Sequence, residues 1–213
     1  MNGDIIQKKL YRGYSIAAAK IGVPFTLYRP NGANNPISTE NTVADGVMMA
    51  IYQDIKFTQP SKYGNAVWKA FVDGTIVKPF DYLTSDKGTY FIQAMPQTLP
   101  VTVVECNHTI KIVRPTQVSG KGAVGYGGNT RATETVLMDG WPCSRLQGSK
   151  WERNAAGLPG DERLPWWIVL LPDCGVELRT SDIIIDEYDR RAVISSAENT
   201  SYGWRITAGF TGA

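Results

Sequence analysis

The sequence predicts a mainly β protein, with one N-terminal α-helix followed by two tandem small β-barrel or sandwich domains. Three observations lead there. Only one segment, residues 4–21, carries apolar residues at helical spacing. After it, short apolar runs alternate with Gly, Pro and Asp-Gly punctuation. The punctuation of the first half also recurs, in the same order, in the second half. Composition agrees, since 21 Gly, 12 Pro, 10 Tyr and 6 Trp among 213 residues favour turns and strands over long helices.

In the helix, Ile6, Leu10, Tyr14, Ala17 and Ile21 share one face. Asp4 is placed to cap its start, and Gly22 followed by Pro24 to end it through a left-handed cap. Gly13 costs about 1 kcal/mol relative to alanine there, which reads as a close contact. Strands are expected at 25–28, 47–57, 66–72, 75–77, 90–95, 101–105 and 108–113. In the second half they are expected at 133–138, before a turn at Asp139-Gly140, and at 166–171, 176–179, 182–186, 192–196 and 203–208.

The repeat rests on ordered matches. Phe25-Thr-Leu-Tyr-Arg29-Pro30 resembles Ile110-Lys-Ile-Val-Arg114-Pro115, and Ser61-Lys62-Tyr63 resembles Ser149-Lys150-Trp151. Trp68 with Asp73-Gly74 matches Trp167 with Asp173-Cys-Gly175; Asp81-Tyr-Leu matches Asp182-Ile-Ile; Tyr90-Phe-Ile matches Ala192-Val-Ile. The offset grows from 85 (Arg29 to Arg114) to 101 (Asp81 to Asp182), which places about sixteen extra residues in the second copy, at 119–131 and 154–163. The expected organisation is an N-terminal helix (1–22), a first β domain (23–106) and a second (107–213) carrying a Gly-rich loop at 116–133.

Composition and motifs narrow the function. A net charge of +2, from 22 basic and 20 acidic residues, gives no charge-driven attraction to nucleic acid or membrane. Three Cys and no signal-peptide pattern read as reduced thiols in a chain folded in the cytoplasm. Gly120-Lys-Gly122-Ala-Val-Gly125 spells a phosphate-loop pattern, but Tyr126-Gly-Gly-Asn-Thr after it cannot start the helix that chemistry needs. Cys106-x-His108 with Cys143 and Cys174 names four metal-ligand types without a C-x-x-C pair, so buried thiols and a surface His are expected, with no metal and no cofactor. His108 is the sole His and no nucleophile elbow is present, so no enzyme is expected. Asp182, Asp186, Glu187 and Asp189 read as a polar hairpin with its own counter-charges. Trp141, Trp151, Trp166, Trp167 and Trp204 read as core and subunit interface.

The run Val176-Glu-Leu-Arg-Thr-Ser-Asp182-Ile-Ile-Ile, a turn, Ala192-Val-Ile-Ser-Ser-Ala and then Gly203-Trp-Arg-Ile-Thr-Ala resembles small β-barrel virion proteins of tailed bacteriophages. The helix followed by Val23-Pro-Phe-Thr-Leu-Tyr-Arg-Pro resembles the opening of phage structural proteins. The nearest class is the head–tail interface, with its head-closure, adaptor and collar proteins. That resemblance implies a structural subunit in a ring of its own copies, beside neighbouring neck or tail proteins. DNA at most passes through the lumen, no membrane is involved, and the chain resides in the virion after folding in the host cytoplasm. A tail-tube, hub or baseplate component and a nucleic-acid-binding barrel are the alternatives. Expected interface residues are Lys121, Gly125, Tyr126, Gly128 and Arg131 in the Gly-rich loop, with Trp166, Tyr14 and Arg12. The loop is expected to be mobile in the free subunit and ordered against a neighbour in the particle.

Overall fold

The computed structural model describes residues 3–52, 66–115, 134–147 and 166–210. Helix α1 (Gly3–Ile21) leads into β1 (Val23–Tyr28), β2 (Thr42–Tyr52), β3 (Val67–Phe71), β4 (Tyr82–Ser85), β5 (Gly88–Ala94) and β6 (Val101–Cys106). These strands close an antiparallel barrel in the order β1-β2-β3-β6-β5-β4, with β4 pairing back onto β1. One residue later the chain starts again with β7 (His108–Pro115), β8 (Glu134–Gln147), β9 (Trp166–Leu171), β10 (Ile183–Asp186), β11 (Arg191–Thr200) and β12 (Gly203–Phe210). They close a second barrel, with β10 pairing back onto β7, and its order β7-β8-β9-β12-β11-β10 is that of the first. Closure removes the unpaired strand edges on which aggregation starts.

The register equates the two barrels residue by residue. Tyr28 pairs with Tyr82 as Val113 pairs with Ile183. Trp68 faces Val103, which faces Ile92; Trp167 faces Ala208, which faces Ile194. The offset is 85 at β1/β7 (Tyr28, Val113), 94 at β2/β8 (Val47, Trp141), 99 at β3/β9 (Trp68, Trp167) and 101 at β4/β10 (Tyr82, Ile183). Of the sixteen extra residues of the second copy, nine therefore fall between β7 and β8 and five between β8 and β9, the two places the sequence names, and the last two fall between β9 and β10. The Ser61 and Ser149 matches lie outside the described residues.

Phe25, Leu27, Met49, Leu83, Ile92 and Val103 fill the first barrel. Ile110, Ile112, Val169, Ile184, Ile194 and Ile206 fill the second. The outward faces of Tyr82, Phe91 and Val104 are also buried, because they join the second cluster. The two barrels thus share one apolar seam.

Several expectations need correction. Residues 75–77 and 176–179 are not strands. Asp73 Oδ1 accepts from Thr75 N (2.9 Å) and Asp173 Oδ1 from Gly175 N (3.1 Å), so each Asp turns the chain before a strand can start. Asp139-Gly140 is not a turn between strands. It is a bulge within β8, with Gly140 at φ 72°, and Asp45-Gly46 forms the same bulge in β2, with Gly46 also at φ 72°. Strand β2 accordingly starts at Thr42, five residues before the expected Val47.

Helix α1 lies on the outside of β2 and β3, where Tyr14 stacks on Phe71 (centroids 5.2 Å apart) and Phe71 meets Tyr52 (4.7 Å). Ala18, not Ile21, is its buried residue, and Ile21 is 70% exposed. The helix begins at Gly3, which puts Asp4 in its first turn. Gly22 has no left-handed φ. It is required because a Cβ there would lie 2.5 Å from Ala18 O and 2.7 Å from Met49 O. Gly13 makes no close contact; a Cβ there would meet nothing within 4 Å among the described residues.

Candidate functional site

One polar construction occurs twice. Arg29 donates through Nε to Asp81 Oδ1 (2.9 Å) and through Nη2 to Oδ2 (2.8 Å) and to Ile76 O (3.3 Å). Arg114 does the same to Asp182 Oδ1 (2.7 Å), Oδ2 (2.8 Å) and Glu177 O (2.8 Å). Each Asp also accepts a backbone N–H three residues upstream, from Lys78 or Arg179 at 2.8 Å. Each follows a residue in the left-handed region, Phe80 (φ 73°) or Ser181 (φ 74°). Bidentate pairing to a buried carboxylate pins the long loop before β4 and before β10 onto the end of the barrel's first strand. This is the physical content of the Arg-Pro and Asp matches in the sequence.

The opposite end of the second barrel holds a polar cluster that the described residues of the first do not repeat. His108, Arg145, Trp167, Asp186 and Phe210 occupy the register positions of Val23, Ile51, Trp68, Ser85 and Glu105. Arg145 lies over the Trp167 ring, 4.3 Å from its centroid, and pairs with Asp186. Asp186 also accepts from Arg190 Nε (2.7 Å), Arg190 N (2.8 Å) and Tyr188 N (3.0 Å). Burial pushes the Asp186 carboxyl up. The Arg190 backbone N–H, the Arg145 and Arg190 guanidiniums and the Tyr188 N–H outweigh it and hold the group below its usual range.

His108 joins Glu187 through Nδ1 and faces Arg145 Nη2 through Nε2 at 2.7 Å. A guanidinium only donates, so Nε2 accepts and the proton sits on Nδ1. These groups border a cleft of about 350 Å³ lined by His108, Arg145, Gln147, Trp167, Arg190 and Phe210. That lining offers no hydroxyl, thiol or amine. The cluster fixes the 186–190 turn over the barrel end and places the exposed Arg190 at the rim. His108 is therefore half-buried in an ion network, not a surface residue as expected from sequence.

The third construction joins the barrels. The loop after β1 reaches the bulge of β8, where Asn35 N donates to Asp139 O (2.8 Å) and Asp139 N to Ala33 O (3.3 Å), around a parallel bridge of Asn34 with Asp139. Trp141 Nε1 donates to Ala33 O at 2.6 Å. Tyr82 OH donates to Pro142 O at 2.7 Å, and its ring meets Trp141 edge-on at 6.2 Å. Only Asn107 separates β6 from β7, and its side chain bonds Arg145 N (2.7 Å) and Arg145 O (2.9 Å) in the manner of a strand.

The residues singled out from sequence are dispersed. Lys121, Gly125, Tyr126, Gly128 and Arg131 lie outside the described residues, as do Trp151 and the Gly120–Gly125 pattern. Arg12 is exposed on α1, Tyr14 is engaged with Phe71, and Trp166 opens β9 half-buried opposite Gly209. Trp141, Trp167 and Trp204 are buried. Cys143 and Cys174 are buried and Cys106 half-buried, all as free thiols. Burial pushes all three thiols up. Among the described residues no three His, Cys, Asp or Glu side chains are grouped to hold a metal ion, and no helix is long and apolar enough to cross a membrane. Sequence reasoning missed the His108–Arg145–Asp186 cluster and the paired bulges. The recurrence of Asp-Gly at 45–46 and 139–140 was the available signal for the bulges. No protein-family model, curated protein or solved structure matches the chain.

Proposed function

We propose that this protein is a structural subunit of a tailed-bacteriophage particle that self-assembles into a ring at the head–tail connector. The observation that carries the reading is the contact between the barrels. Two domains of one topology are joined through different surfaces, a loop and outer strands of the first against the bulged strand of the second. Repeated between chains, such a heterologous contact generates a ring if its rotation closes. The resemblance of the strand pattern to phage neck proteins supports a station at the neck.

Purified protein is expected to form closed rings by light scattering and negative-stain microscopy, and cryo-EM of the particle to place them below the portal. Rings along the tail would instead make it a tube or baseplate component. Salt-dependent retention on DNA, without self-association, would replace the reading with a nucleic-acid-binding barrel.

A further inference from the structure

The repeat makes the chain its own comparison, because a surface that is covered in one barrel is left open by the described residues at the equivalent place in the other. In β8 the bulge at Asp139-Gly140 is occupied. Asp139 exchanges two backbone hydrogen bonds with the 33–35 segment, and a Cβ on Gly140 would lie 3.4 Å from Asn35. Leu137 beside it packs on the shared apolar cluster.

The register places Val43, Asp45 and Gly46 of β2 at the positions of Leu137, Asp139 and Gly140. Gly46 has the same φ of 72°, so the bulge is built identically. Here it is bare. Asp45 and Gly46 are exposed, no described residue comes within 4 Å of a Cβ on Gly46, and Val43 is left 43% exposed. Helix α1 reaches the far end of β2, where its Tyr14 stacks on Phe71 beside Tyr52 and the residue after it, Gly22, approaches Met49.

The occupant follows from the same equivalence. The segment that grips the β8 bulge is the connection between the first and second strands of barrel one. Its counterpart is the connection between the first and second strands of barrel two, residues 116–133. Within one chain the first barrel's connection reaches forward onto the second barrel. The next barrel in that direction belongs to another chain.

We propose that the Asp45-Gly46 bulge of β2 is the docking site for a second copy of this chain, which offers its 116–133 segment. The incoming backbone exchanges hydrogen bonds with Asp45 N–H and C=O, as Ala33 and Asn35 do with Asp139, and covers Val43. Edge recognition of this kind draws its affinity from main-chain groups and its register from the bulge. The proposal rests on the ring reading and names the surface that would close it.

The test uses the full chain with p-benzoylphenylalanine at position 45, and separately at position 139 as an internal control. Each protein is irradiated at concentrations where light scattering reports oligomers, and the linked peptides are read by mass spectrometry. Position 45 is expected to link to residues 116–133 of a second chain, and position 139 to residues 33–35 of its own. Asp45→Pro, which removes one donor, is expected to weaken self-association roughly five- to tenfold, the size of one lost hydrogen bond. Its melting temperature shows whether the barrel stays folded. Oligomers that form while position 45 links only within its chain, elsewhere on a second chain or not at all overturn the docking and leave the ring reading standing. A protein that stays monomeric at every concentration overturns both.

Discussion

At the scale of single residues, three buried carboxylates, Asp81, Asp182 and Asp186, anchor arginines. Asp81 and Asp182 sit in equivalent clamps, each with a partly exposed arginine. Asp81→Asn and Asp182→Asn are expected to cost similar amounts, about 2 to 3 kcal/mol each, because the amide cannot receive both the guanidinium and the upstream N–H. Urea denaturation of the two variants checks this, and widely different costs would mean that the clamps are not equivalent. Asp186 is fully buried with two guanidiniums, so Asp186→Asn is expected to cost about 3 kcal/mol or more. Its sign with pH follows from linkage. A carboxyl held below its usual range in the folded state stabilises fully above the unfolded value near 4, and that contribution is lost as pH falls through the folded value. The Asn variant is therefore expected to be less stable at pH 7 and to lose less stability than wild type on acidification below about pH 4. An unchanged acid limb would remove Asp186 from that role. The cysteines offer a simpler check. With burial raising all three thiols, native protein is expected to react with a disulfide reagent at pH 8 far more slowly than unfolded protein.

At the scale of elements, the helix and the bulges separate what sequence reveals from what only packing decides. Helical spacing found α1, since periodicity is a local property, but it put Ile21 inside and left Ala18 unremarked. The helix lies across the outside of β2 and β3 and ends where Gly22 meets Met49, so tertiary crowding rather than the apolar stripe decides which residue is buried. The two glycines make opposite expectations. Gly13→Ala meets open space and is expected to stabilise by up to about 1 kcal/mol, whereas Gly22→Ala drives a Cβ into two carbonyl oxygens and is expected to destabilise and loosen α1. Thermal melts of the pair decide it, and stabilisation by both would show that the helix does not depend on that approach. Asp-Gly was equally legible as a dipeptide and equally ambiguous. At 139–140 it reads as a hairpin turn, yet the strand continues through it, because one residue in the left-handed region suits a bulge as well as a turn. The choice is made by the partner strand, whose residues lie some thirty positions away.

At the scale of the whole molecule, the duplication was legible because barrel closure depends on punctuation that a sequence carries openly: an arginine after the first strand, an aspartate before the fourth, an Asx turn after the third. The polar cluster at the end of the second barrel was not. It draws His108, Arg145, Asp186 and Arg190 from three strands and a turn, and only the register brings them together. The seam between the barrels was equally hidden, because Tyr82, Phe91 and Val104 look like ordinary strand residues until their outward faces are found buried. That seam has an energetic consequence. The barrels share an apolar cluster, are linked by one residue, and are bonded through Tyr82 OH to Pro142 O and through Trp141 to Ala33. Two domains coupled in this way are expected to unfold together, in one calorimetric transition whose van't Hoff and calorimetric enthalpies agree. Tyr82→Phe isolates the coupling, since it keeps the ring in the first barrel and deletes a bond to the second, leaving a buried carbonyl without its donor. Its expected cost is about 1 to 3 kcal/mol. Hydrogen exchange shows where the cost is felt. If the barrels form one cooperative unit, amides of β11 and β12 lose protection along with those of β5 and β6, although the hydroxyl's bond is to Pro142 O of β8. Loss confined to β4–β6, or two resolved melting transitions in the wild type, would mean that each barrel folds alone and that the seam is only a docking contact.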